Sequence, residues 1–202
     1  MKSFELLIAT KNAGKIREIE KLLADLPITL RNTGEFTDLI EPEETGATFA
    51  ENATLKAKYY AEKTGIWSLA DDSGLEVEAL EWRPGVFSAR YGGADATNEE
   101  KIAKLLNELE QTDSNSRLAR FVCSMVIADK SGEIQFLTEG VCQGEIAFIP
   151  QGSNGFGYDP VFVPKGFSQT FGQLSGEIKH KISHRSRAIE KIIKYLADLI
   201  AP

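Results

Sequence analysis

Between residues 6 and 31 the hydrophobic period switches from strand to helix and back, which leaves little room for any fold outside the α/β class. Leu6-Leu-Ile-Ala9 is a short apolar run that ends at Thr10 and a glycine-bearing turn. Ile16, Ile19, Leu22, Leu23 and Leu26 then recur at helical spacing until Pro27, and Ile28–Arg31 reads as a second strand. The remaining chain keeps this texture. Residues 36–48 are acidic and irregular, with Glu41, Glu43 and Glu44 around Pro42 and ahead of Gly46. The pattern predicts a helix over 49–63, closed by Gly65, and a strand Trp67-Ser-Leu-Ala70 running into Asp71-Asp-Ser-Gly74. Residues 84–93 read as a loop and Asn98–Leu109 as a helix.

Beyond that helix, residues 117–129 and 133–148 predict the strands of a hairpin or meander turning at Ser131-Gly132. Residues 152–159 form a glycine-rich loop. A last helix begins at Glu177 or Ser183 and carries Ile189, Ile192, Ile193, Leu196 and Ile200 on one face. No repeat, low-complexity tract or linker interrupts the chain. Its 202 residues read as a mixed α/β protein with some non-local strand pairing, folded as one unit.

A formal charge of −7 argues against a general nucleic-acid binder, which needs a basic face, although a local basic pocket stays open. The first residues hold no apolar stretch long enough for a signal peptide, and no segment approaches the ~20 apolar residues of a membrane span. A cytoplasmic protein is therefore expected. Cys123 and Cys142 lie in apolar strand-like runs and read as buried thiols rather than a disulfide.

Four places offer chemistry. Thr10-Lys-Asn-Ala-Gly-Lys15 sits where a strand meets a helix N-terminus, a position that favours phosphate, or it is simply a turn with a solvated lysine. It is not a P-loop, because Ala9 and Ile16 stand where that motif needs glycine and a hydroxyl residue. Asp71-Asp72-Ser73-Gly74 at a strand end is either a capping turn or a Mg2+ site, since Mg2+ takes one or two carboxylates plus water and phosphates. The acidic stretch 41–44 could add a ligand. Gly155-Phe-Gly-Tyr-Asp159 is a turn with its aromatics in the core, or a backbone opening with an exposed ring for stacking on a base. Ser183-His184-Arg185, with Lys179 and Lys181 just before, gathers donors for carbonyls or phosphates. His180 and His184 stand four apart but lack a helix-borne glutamate base and a third ligand, which argues against zinc.

Together these blocks closely resemble the inosine triphosphate pyrophosphatase family. The resemblance rests on Ala9-Thr-Lys-Asn-Ala-Gly-Lys15, Glu43-Glu-Thr-Gly46, Ala70-Asp-Asp-Ser-Gly74, Pro84-Gly-Val-Phe-Ser-Ala-Arg-Tyr91, Gly155-Phe-Gly-Tyr-Asp-Pro160 and Ile182-Ser-His-Arg185, in that order. It implies one pyrophosphatase domain over 1–202: an elongated, two-lobed α/β fold with a mixed sheet, a nucleotide cleft between the lobes, and a homodimer. It also implies Mg2+-dependent hydrolysis of ITP, dITP and XTP to the monophosphate and pyrophosphate, with no nucleic-acid or membrane partner. By motif, Thr10, Lys11, Asn12, Ala13, Gly14 and Lys15 would hold the phosphates. Glu43 and Asp72 would hold the metal, with Asp72 also the catalytic carboxylate and Ser73 beside the substrate. Phe156 would stack on the base beside Gly157, Tyr158 and Asp159, while Lys179, His184 and Arg185 would line the base and phosphate side. Glu81-Trp82-Arg83 departs from the usually smaller, glycine-rich stretch that the family has before Pro84.

Overall fold

A computed structural model describes residues 4–36 and 39–201. Strands β1 (Phe4–Ile8), β2 (Ile28–Asn32), β3 (Trp67–Val77), β4 (Leu118–Ala128), β5 (Ile134–Ile146) and β6 (Phe162–Pro164) form a six-stranded sheet in the order β2-β1-β3-β4-β5-β6. β1 runs parallel to β2 and to β3, whereas β5 and β6 are antiparallel, so the sheet is mixed. The helices are α1 (Ala13–Leu23), α2 (Phe49–Thr64), α3 (Asn98–Glu110), α4 (Gly176–Ile182) and α5 (His184–Ile200). Among the described residues no helix is long and apolar enough to cross a membrane. The chain divides into two compact units. One runs up to Asp72 and includes Cys123–Gly140 and the residues from Arg185 onward; the other comprises Ser73–Val122 and Val141–His184.

In the first unit, strand alternation sorts the core onto two faces. Leu6, Ile8, Leu69, Cys123, Met125 and Ile127 pack against Ile19 and Leu23 of α1 and Ala188, Ile189, Ile192 and Leu196 of α5. On the opposite face Leu7, Ala9, Ala70, Val126 and Ala128 meet Ala53, Ala57, Tyr60 and Ala61 of α2. The helix ends follow local chemistry. Asn12 caps α1 by accepting from the backbone N–H of Gly14 and Lys15. Thr48 and Glu51 close a capping box on α2, and Gly65 ends that helix at φ 65°. Each N-cap contributes about 1 kcal/mol.

The second unit builds its core from Leu75, Val77, Phe121, Tyr158, Val161, Phe162 and Phe171, onto which α3 lays Ile102, Leu105 and Leu109. Two expectations about element boundaries change. Asp71-Asp-Ser-Gly74 lies inside β3, not beyond its end, because β3 extends to Val77. Gly74 is required there by close approach: a Cβ would sit 2.3 Å from Ser88 Oγ and 2.6 Å from the Gly85 carbonyl oxygen. Both candidate starts of the last helix are also real, because Ser183, extended at φ −69° and ψ 160°, separates α4 from α5.

Candidate active site

Because neighbouring strand residues face opposite ways, the adjacent aspartates serve different surroundings. Asp71 joins the face of α1 and α5. It is fully buried, pairs through Oδ1 with Lys15 Nζ, and accepts through Oδ2 from Arg185 Nε at 3.1 Å and Cys123 Sγ at 2.8 Å. Arg185, 1% exposed, also reaches Glu18 Oε2 with Nη1 at 2.5 Å. Burial opposes ionisation of Asp71, but Arg185 and then Lys15 overcome it and hold the carboxyl well below its ordinary value. Burial likewise disfavours the Arg185 cation, and Asp71 and Glu18 outweigh it and raise the guanidinium. Nε and Nη1 of Arg185 thus point at two carboxylates.

Asp72 faces α2. Its Oδ1 accepts from Lys56 Nζ at 3.0 Å, and the same ammonium donates to Glu44 Oε1 at 2.7 Å. Lys56 is 3% exposed, so one buried cation spans two carboxylates. The second oxygen, Asp72 Oδ2, is buried and has no hydrogen-bond partner among the described residues. Burial above all, opposed by Lys56 and Lys15 and reinforced by Glu44, pushes the Asp72 carboxyl up. Burial acts the same way on Glu44, but there the Lys56 charge wins and lowers it. Three cations (Lys15, Lys56 and Arg185) thus meet four carboxylates (Glu18, Glu44, Asp71 and Asp72).

Glu44 is the acidic residue that shares Lys56 with Asp72, whereas Glu43, expected as a metal ligand, is exposed. Residues 39–47 are neither helix nor strand, and a shift of one position along such a chain exchanges the side chain that points inward. In the segment 10–15 Thr10 is buried, with its carbonyl accepting from Thr33 Oγ1 at 2.9 Å and its Oγ1 accepting from Asn12 N at 3.2 Å. Asn12 Oδ1 accepts from Gly14 N and Lys15 N at 2.9 and 3.1 Å, so this oxygen caps the helix. Lys11 and Ala13 are exposed, Gly14 is buried, and Lys11 Nζ reaches the Leu39 carbonyl at 3.3 Å. Lys15 is the member of this loop that meets the carboxylates.

In the second unit the Gly155–Tyr158 turn is tied by Asp159, whose Oδ2 accepts from Phe156 N at 2.8 Å and from Lys179 Nζ at 2.5 Å. Lys179 Nζ lies 4.7 Å from the centroid of Phe156 and 5.7 Å from that of Phe171. Phe156 is half-buried, and Gly157 takes φ 61°, a backbone conformation that favours glycine. Tyr158 is buried, and its hydroxyl donates to the Ser88 carbonyl at 2.9 Å. His184 is buried and stacks on Phe121, with centroids 4.7 Å apart and planes 13° apart. Ser73 is half-buried in β3. Among the described residues no three His, Cys, Asp or Glu side chains gather as a metal-ligating group.

Sequence reasoning missed Lys56, Glu18 and Phe121. A signal existed for Lys56, which sits on the helix face of Ala53, Ala57 and Tyr60, where an apolar residue belongs. No local pattern marks the other two.

Comparison with known proteins follows the same lines. Residues 6–195 match the model of the Ham1 family. A dITP/XTP pyrophosphatase of a Nostoc species is 46% identical over 198 residues, covering 97% of this chain and 96% of that protein. The dITP/XTP pyrophosphatase of Coxiella burnetii is 42% identical, covering 96% and 97%. Among solved structures, a HAM1 protein from Coxiella burnetii superposes with a TM-score of 0.90 at 42% identity, covering 96% of this chain and 99% of that one. A nucleoside-triphosphatase/dITP/XTP pyrophosphatase from Mycobacterium abscessus gives 0.75 at 39% identity, covering 94% and 98%.

Proposed function

The chain belongs to the Ham1 family, and on that premise we propose that it hydrolyses deaminated purine nucleoside triphosphates, ITP with dITP and XTP, to the monophosphate and pyrophosphate. The observation that carries the reading is the carboxylate pair of Asp72 and Glu44, with Asp72 Oδ2 buried and unpartnered. Two hard oxygen donors beside cationic side chains fit Mg2+, which prefers one or two carboxylates completed by water and substrate phosphates. Glu44 and Asp72 would hold the ion. Mg2+ would neutralise the triphosphate and the departing pyrophosphate.

The chain's own groups do the rest. Lys15, at the N-terminal end of α1, supplies a cation and the helix dipole to the phosphates. Lys56 keeps the two carboxylates together despite their repulsion. The Asp72 carboxylate takes a proton from the water whose oxygen forms a bond to the α-phosphorus. The bond from that phosphorus to the bridging oxygen breaks, and pyrophosphate leaves with the electron pair. Asp71 does not share this task, being fully buried between Arg185, Lys15 and Cys123.

On the base side, Phe156 offers a ring for stacking, and Lys179 and His184 offer donors. Hypoxanthine and xanthine carry a carbonyl acceptor at position 6, where adenine has an amino group. Donor set against donor costs about 1–3 kcal/mol per unpaired group, which favours ITP and XTP over ATP. A homodimer belongs to this reading on the family resemblance. Phosphorus NMR on pure protein supplied with ITP and Mg2+ tests it: IMP and pyrophosphate are expected together, and release of IDP with orthophosphate would overturn it.

A further inference from the structure

We propose that Phe121 is a positioning residue for base selection: its ring holds the His184 imidazole face-on and so fixes the plane in which His184 donates. This deepens the base-recognition part of the proposed function and rests on that part. The geometry is confined to the second unit. Phe121, on β4, lies parallel to the His184 ring within 13° at a centroid distance of 4.7 Å, and both side chains are buried. A histidine ring has a broad, soft final torsion, so its plane is set by what packs on its faces and not by its own rotamer well. Aromatic contact supplies that constraint.

Phe121 is itself braced. Phe162 meets it at 4.6 Å and Phe171 at 6.4 Å, and Phe171 stands 5.7 Å from Lys179 Nζ. One aromatic group therefore backs both donors on the base side, His184 directly through Phe121 and Lys179 through Phe171. Such a supporting layer is what keeps a recognising group within the narrow tolerance that hydrogen-bond selection needs. Phe162 provides an internal comparison, since it is fully buried in the same core and meets Phe121.

The test uses Phe121→Leu and Phe162→Leu in the full chain, with Phe121→Met as a substitute should Phe121→Leu fail to fold, and Phe121→Tyr as the conservative variant. The chain has two histidines, His180 and His184, so the imidazole proton resonances are assigned by a single His184→Gln spectrum. The ring current of Phe121 should shift the His184 protons upfield in wild type, Phe121→Tyr and Phe162→Leu, and the shift should vanish in Phe121→Leu. In steady-state assays Phe121→Leu should raise KM for ITP about 10-fold with kcat within about 2-fold, and lower the ITP-to-ATP ratio of kcat/KM by a similar factor. Phe162→Leu, one contact further from His184, should lower Tm and change that ratio less than Phe121→Leu does. An imidazole signal that does not move in Phe121→Leu overturns the positioning role. A signal that moves while the ITP-to-ATP ratio stays fixed overturns the assignment of His184 to the base, and with it the selective role of Phe121.

Discussion

Replacing Asp72 by Asn should make the metal-free protein more stable and far less active. In the wild type, Asp72 Oδ2 is buried without a hydrogen-bond partner and the neighbouring Glu44 carboxylate repels it. Its pKa is raised in the folded state, chiefly by burial. A raised folded pKa means stability that is full below the unfolded value and is lost as pH rises through the folded one, so at neutral pH the ionised group costs stability. Asn keeps an acceptor for Lys56, 3.0 Å away in the wild type, and puts a donor where two carboxylates had opposed each other. One net hydrogen bond of ~0.5–1.5 kcal/mol corresponds to a Tm rise of about 1–6 °C for a chain of this size. Activity should move the other way, with kcat falling at least ~100-fold, the lower range for a lost general base. The assay is calorimetry at pH 7 in chelator beside ITP turnover in saturating Mg2+. Added Mg2+ should raise the wild-type Tm and raise the variant's less, by mass action. Near-normal turnover, or a drop in Tm in chelator, would refute the reasoning.

The remaining predictions separate neighbours. Glu44→Gln should raise the Mg2+ concentration for half-maximal turnover by ~10–100-fold, the scale of lost metal-site partners, whereas Glu43→Gln, exposed, should change it less than about 2-fold. Equal effects from the two would return the acidic ligand to an open question. Asp71 is held well below its ordinary pKa of 3.8, so its contribution is present above that value and is lost as pH falls below it toward the folded pKa. Circular dichroism from pH 6 to 2 should therefore show stability falling below about pH 4, and a flat profile would contradict the buried ion cluster.

Much of the fold was legible in the order of residues, because helices and caps are local. The run Leu6–Ala9, the Asn12 cap and the apolar spacing to Leu23 give β1 and α1, and Gly65 ends α2 where a left-handed cap needs glycine. The motif Asp71-Asp-Ser-Gly74 likewise marked the acidic site. What the order of residues left open is which way each side chain faces. That Asp71 belongs to Arg185, 114 positions away, and Asp72 to Lys56 follows from β3 continuing past the motif, so that alternation sends adjacent carboxylates to opposite faces. Glu44 instead of Glu43, Arg185 bound to Glu18 across 167 positions, and Tyr158 turned into the core are of the same kind. Local sequence sets backbone propensity within a few residues. Burial and charge pairing are decided by groups brought together from distant segments, and the packing of helices on both faces of a sheet is what brings them together.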